Sequence, residues 1–155
     1  DPYFYASEIQ QVAKSITTSG VTWIIAQPGT VRQQPIVYIS AREGQLINPS
    51  VRHESEFVLK FTGIIPQGRA LAVNCDKQLA YLTDAPLDYY LQLWGLGDEL
   101  ESPPSQEENA IAGMSTSWIM HGFPLLPGDN AIQYLDDAES SHQAGIIFTW
   151  WPQYY

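Results

Sequence analysis

Phe123-Pro124-Leu125-Leu126-Pro127-Gly128-Asp129-Asn130-Ala131-Ile132-Gln133-Tyr134 carries an apolar run into a tight turn and an alternating strand out of it. Pro127 presets φ, Gly128 accepts a positive φ, and Asp129 and Asn130 have side chains short enough to bond their own backbone. Beyond the turn, Ile132 and Tyr134 point one way and Gln133 the other, the period of a half-buried strand. A second apolar strand, Ala144 to Trp151, follows a short polar loop. Together they read as a strand pair closing a β-domain. Nothing in the stretch is chemically reactive, so it speaks for architecture and not for catalysis.

Upstream, the same signals recur. Strands are expected at 21–26, 35–41, 50–53, 56–62, 70–75 and 78–83, with Leu46-Ile47 as a shorter piece. Phe57, Leu59 and Phe61 share one face, as do Leu71, Val73 and Cys75. Pro28-Gly29, Gly44, Asn48-Pro49, Pro66-Gln67-Gly68 and Asp76-Lys77 punctuate them. Spacing of roughly ten residues between Gly- and Pro-marked turns is the pattern of an antiparallel β-sandwich. The N-terminal Asp1-Pro2-Tyr3-Phe4-Tyr5 reads as extended. Ser7 to Ser15 reads as a short helix with Ser7 as its N-cap and Gln10 completing a weak capping box.

Residues 85–118 break the rhythm and read as an irregular, partly helical insertion. Pro86 to Trp94 is expected to form one short helix with Pro86 in its first turn. Asp98, Glu99, Glu101, Glu107 and Glu108 make the following segment acidic, around the pair Pro103-Pro104. Such a run reads as solvated surface. Ser115 to Met120 brings the chain back.

Length and composition bound the function. The chain has 155 residues and a 45% apolar content, enough for one domain with a real core. Only 15% of residues are charged, yet the net charge is −10. That balance disfavours binding to nucleic acid, where Lys and Arg must neutralise phosphates. It equally disfavours anionic membrane surfaces. No run reaches the roughly 18 apolar residues of a membrane-spanning helix, and no signal peptide is visible. A lone cysteine, Cys75, excludes an internal disulfide and reads as a small buried hydrophobe. The start at Asp1-Pro2 leads us to expect a processed product or a part of a longer polypeptide.

The search for chemistry finds little. His53, His121 and His142 fall in no metal-binding motif. His142 follows Asp136, Asp137 and Glu139, which invites a metal reading, but a solvated hairpin loop explains the same residues. Gly113-Met114-Ser115-Thr116-Ser117 resembles a nucleophile elbow with Ser117 in the final glycine position and without the expected strand–turn–helix context. The acidic residues of 98–108 have the chemistry of a glycosidase pair, but a charge run in a Pro-rich loop is ordinary surface. We therefore expect no enzyme, no catalytic or metal-binding residues and no cofactor.

Aromatic residues, 12% of the chain, remain as functional candidates. Tyr89, Tyr90 and Trp94 lie in the insertion, and Trp150, Trp151 and Tyr154 crowd the C-terminal end. Aromatic faces stack on sugar rings or anchor protein interfaces. Trp150 and Trp151 are adjacent, so regular pleating cannot send both into one core. Tyr89, Tyr90, Trp94, Trp151 and Tyr154 are the expected protein or glycan contacts.

Several segments, in order, resemble the C-terminal galectin-like domain of siphophage distal tail proteins, the family that forms the baseplate hub below the tail tube. Asp1 to Tyr5 resembles the start of that domain and Asn48-Pro49-Ser50-Val51 its "NP-x-hydrophobic" segment. Phe57 to Thr62, with Gly68 and Leu71 to Asn74, resembles its central hairpin, with Asn74 where the family often has Asp. Leu126 to Tyr134 resembles the "L-x-PG-x-N-x-I-x-Y" signature, and Phe148 to Tyr154 the terminal strand. The match spans most of the chain except 85–118. The resemblance implies a galectin-like, jelly-roll-type β-sandwich over 1–155, the C-terminal part of a longer structural virion protein at the distal end of a phage tail. Its implied partners are other tail, baseplate and receptor-binding proteins and copies of itself, in hexamers or trimers. The alternative is a carbohydrate-binding module for host surface glycans, and a tail enzyme ranks behind both.

Overall fold

The computed structural model describes residues 4–5, 9–95, 103–138 and 140–154. In chain order the strands are β1 (Phe4–Tyr5), β2 (Gln10–Ile16), β3 (Thr22–Gln27), β4 (Ile36–Glu43), β5 (Leu46–Ile47), β6 (Ser50–His53), β7 (Val58–Lys60), β8 (Ile64–Ile65), β9 (Ala70–Asn74) and β10 (Leu79–Thr83). Helix α1 (Leu87–Leu93), strand β11 (Glu107–Asn109), a 3-10 turn (Ile111–Gly113) and helix α2 (Thr116–His121) follow. Strands β12 (Gly128–Leu135), β13 (Gln143–Trp150) and β14 (Gln153–Tyr154) complete the chain. The fold is an all-β antiparallel sandwich. A six-stranded sheet runs β11-β10-β9-β4-β13-β2, and a four-stranded sheet runs β3-β12-β6-β7. Two small ribbons, β5-β8 and β1-β14, flank them.

Two expectations are corrected. First, β12 and β13 do not pair with each other. β12 lies between β3 and β6, whereas β13 lies between β2 and β4 in the other sheet. Their polar connection crosses the roughly 10 Å between sandwiched sheets and does not close a hairpin. Second, the segment expected to be helical from Ser7 to Ser15 contains most of β2, paired with β13 from Ala144↔Ile16 to Trp150↔Gln10. Ile9, Val12, Ala13 and Ile16 are spaced as a helix face would be. The backbone ladder offered by β13 overrides that spacing, and Val12 and Ile16 turn to the core in strand alternation.

The core lies between the sheets. Ile146, Phe148 and Trp150 of β13 meet Ile132 and Tyr134 of β12, with Val37, Ile39, Leu71 and Val73 from the larger sheet and Ile25, Val51 and Leu59 from the smaller. Alternation works as expected on β12, where Ile132 and Tyr134 are buried and Gln133 is not. It fails on β9, all five of whose residues are buried, because the larger sheet is covered on its outer face as well. Part of the 85–118 insertion is structural: β11 extends the larger sheet along β10, and α2 buries Trp118 in the main core.

The turn at Leu126–Asn130 is held from inside. Gly128 adopts φ 90°. Asn130, fully buried, accepts from Leu126 N–H (2.8 Å) and donates to the carbonyls of Leu126 (2.9 Å), Gly128 (3.1 Å) and Ile25 (3.2 Å). The same amide oxygen lies 2.6 Å from His53 Nε2, while His53 Nδ1 accepts from Ser55 N–H at 3.0 Å. Nδ1 as acceptor makes Nε2 the donor, which fixes a neutral tautomer.

Candidate functional site

Helix α1 begins after Pro86, whose extended backbone (ψ 163°) sets the chain's direction into the helix. Leu87 and Leu91 pack on Ile36 of β4, and Tyr90 packs on Ala72 of β9 and on Ala85. Tyr38 of β4 donates from its hydroxyl to Ala85 O at 2.7 Å and pins the start of the helix, and burial pushes its pKa up to about 12. The helix thus lies across the outer face of the larger sheet. Its aromatic side chains form one cluster: Tyr90 meets Tyr89 edge-on (5.0 Å between centroids), Trp94 at a tilt (5.1 Å) and Tyr81 in a stack (6.1 Å).

Seven helical residues span only about 10 Å, whereas the eight residues of β13 beneath span about 27 Å. One end of the outer face is left uncovered, and a cleft of about 270 Å³ opens there. Trp94, the residue that ends α1, forms one wall. Ile36, Thr149, Trp150 and Trp151 come from the ends of β4 and β13. Asn74, Asp76 and Lys77 come from the β9–β10 turn, and Gln33 and Gln34 from the segment before β4.

Each wall is held by its own bonds. Asn74 Oδ1 accepts from Lys77 N–H at 2.9 Å and closes the β9–β10 turn. Gln33 exchanges backbone bonds with Leu125 (3.0 and 2.7 Å). Gln34 accepts from Phe123 N–H at 2.8 Å and donates to His121 O at 3.4 Å. Asp76 and Lys77 are exposed and place one charge of each sign on the rim. Thr149 Oγ1, on the outer face of β13, is buried without a hydrogen-bond partner among the described residues, as is Trp150 Nε1 on the inner, core face. Buried groups of this kind are normally paired.

Of the contacts expected from sequence, Trp94 and Trp151 meet in this cleft. Tyr89 is half-buried against Tyr90. Tyr90 is corrected as a surface contact: it is fully buried, its hydroxyl donates to Glu107 at 2.6 Å, and burial, then Glu107, raises its pKa. Tyr154 lies in β14 opposite Phe4, and its side chain lies outside the described residues. Sequence reasoning missed Asn74, Asp76, Thr149 and the Gln33-Gln34 pair. Thr149 carried a usable signal, a polar residue in the middle of the apolar run Ile146 to Trp151.

The other reactive residue types are committed elsewhere. Ser115 caps α2, accepting from Trp118 N–H (3.4 Å) and donating to Val58 O (3.1 Å). Cys75 is buried, accepts from Trp118 Nε1 at 3.4 Å, and burial pushes its thiol up to about 12. His142 and Asp136 do not form the solvated loop expected from sequence: Nε2 and Oδ2 lie 2.7 Å apart with both side chains largely buried. Burial and then Asp136 raise the pKa of neighbouring Tyr134. Glu139 and the acidic residues Asp98, Glu99 and Glu101 lie outside the described residues. Among the described residues no three His, Cys, Asp or Glu side chains converge as metal ligands, and no helix is long and apolar enough to cross a membrane. A second, more open concavity of about 290 Å³ on the smaller sheet is lined by Thr22, Arg52, His53, Glu54, Ala131 and Gln133, without a Trp or Tyr.

Comparison with protein-family models, with characterised proteins and with solved structures finds no match to the chain.

Proposed function

We propose that the chain is a non-catalytic structural domain of a phage tail tip, of the distal tail protein type, which docks other tail proteins and copies of itself. The observation that carries this reading is where the resembling segments fall. Leu126 to Tyr134 forms the turn and β12, Phe148 to Trp151 ends β13, and Gly68 with Leu71 to Asn74 frames β9. Those strands are interior to their sheets. The elaborated region, 85–118, is the part that the resemblance does not cover. The commitments of Ser115, Cys75 and His53 to structural bonds support a non-catalytic role. Exposed Ile119 and Met120 on α2, and Leu93 at the end of α1, supply apolar surface of the kind that protein interfaces use. Immunogold labelling of tailed particles encoding this chain is expected to mark the distal tail end. Label on the head, along the tube or on no particle overturns the reading.

A second reading, a module for host surface glycans, draws on one observation: the cleft that sets Trp94 and Trp151 beside amide and charged side chains.

A further inference from the structure

We propose that the cleft beyond the end of α1 recognises one neutral pyranose unit, whose ring packs on Trp151 and one of whose hydroxyls bonds Thr149 Oγ1. The assignment deepens the glycan reading of the cleft and is independent of where the protein resides.

The chemistry of the walls selects the ligand. Lys77 only donates, Asp76 only accepts, and Thr149, Asn74, Gln33 and Gln34 have groups that do both. Sugar hydroxyls donate and accept at once and suit such a mixture, while the C–H faces of the ring suit an indole. The cleft's volume of about 270 Å³ is at the small end of ligand sites, which begin near 300 Å³. That favours a single ring over a longer chain.

Competing ligands fit less well. An extended peptide gains its affinity by adding to a sheet edge. The strands flooring this cleft, β4, β9 and β13, are interior, so their backbone groups are already paired. An anionic ligand or a nucleotide meets a chain of net charge −10, and at the rim Lys77 is offset by Asp76. Thr149 supplies the specific argument. Thr149 shares the outer face of β13 with Ile147, which packs against the Leu87 and Leu91 cluster of α1, and it is fully buried, yet its Oγ1 has no partner among the described residues. A ligand hydroxyl in the cleft gives that oxygen the bond that buried polar groups require.

The test uses the full chain, with tryptophan fluorescence and saturation-transfer NMR during titration with the methyl glycosides of glucose, galactose, mannose and N-acetylglucosamine. We expect at least one to bind saturably at millimolar concentration. Thr149→Val keeps the shape and removes the hydroxyl. Because that hydroxyl has no partner among the described residues, the variant should melt at the same temperature or higher, while binding weakens about tenfold. Trp151→Ala should weaken binding at least as much, and Trp151→Phe should restore part of it. Arg52→Ala, in the other concavity, should bind as the parent chain does. If a sugar binds and both Thr149→Val and Trp151→Ala leave its affinity unchanged, the cleft assignment falls while the glycan reading survives. Loss of binding in Arg52→Ala moves the site to the smaller sheet. A clear drop in the melting temperature of Thr149→Val makes the hydroxyl structural and removes the argument. If none of the sugars binds, both the assignment and the glycan reading fall.

Discussion

Between the two sheets, every wall is supplied several times over: Ile25, Val51 and Ile132 from one side, Val37, Leu71 and Phe148 from the other, with Trp118 and Phe123 also in the cluster. Outside the larger sheet, one seven-residue helix covers Ile36 with Leu87 and Leu91, and Ala72 with Tyr90. The inner layer is fixed by alternation on many strands, so no single residue determines it. The outer layer depends on one short element that is too short for the strands it covers. The uncovered remainder is the cleft, so the candidate site lies where the short helix stops covering the sheet.

The sharpest way to break that comparison is to empty each layer in turn. Phe148→Ala removes a fully buried ring from the inner core and should cost about 4 kcal/mol, whereas Leu91→Ala, at the margin of the outer layer, should cost about 2 kcal/mol. Urea unfolding of both variants measures the gap. Equal costs would make the outer layer a second core and would remove the contrast.

The same contrast decides what was legible in the sequence. The inner layer was readable because Phe57, Leu59 and Phe61, or Ile132 and Tyr134, announce a face by alternation alone. The outer layer was only half readable. Pro86 to Trp94 was recognisable as a helix, but nothing local shows that it lies on β4 and β9, so the double burial of β9 and of Tyr90 was not foreseen. The misreadings of β2 and of the β12–β13 connection share a cause. Both depend on which distant strand offers a ladder, a choice made by tertiary pairing and not by local propensity. The site divides likewise. Trp94 and Trp151 stood out as aromatics, whereas Asn74, Asp76 and Thr149 become neighbours only once the sheet is assembled.

Two asparagines carry the comparison to polar groups. Asn130 serves His53, a backbone N–H and three carbonyls in the closed interior, so Asn130→Ala should cost about 2 kcal/mol by leaving several of them unpaired. Asn74 makes one such bond, to Lys77 N–H, beside an open cleft that admits water. Asn74→Ala should cost only about 0.5 kcal/mol. Denaturation midpoints of the two variants test the ordering. A larger loss for Asn74 would mean that the cleft end carries more of the fold than its exposure indicates.

The smallest effect concerns how the insertion rejoins the larger sheet. Where β10 ends, Asp84 accepts from the Ser105 hydroxyl and from Gln106 N–H (3.2 Å), while its own N–H donates to Gln106 O (3.1 Å). The Ser105 bond first, and the Gln106 bond second, hold the Asp84 pKa below its ordinary value. A carboxylate depressed in the folded state adds stability above its unfolded pKa, near about 4. That contribution is lost as pH falls through the folded value. Ser105→Ala should therefore move the Asp84 titration upward in carboxyl NMR. It should lower stability slightly at neutral pH and converge with the parent chain in acid. Asp84 is solvent-exposed, so screening keeps the stability change small and the titration is the more sensitive readout. If the Asp84 titration does not move, Ser105 does not anchor the return of the chain, and the backbone pairing of β11 with β10 alone holds that end of the outer layer.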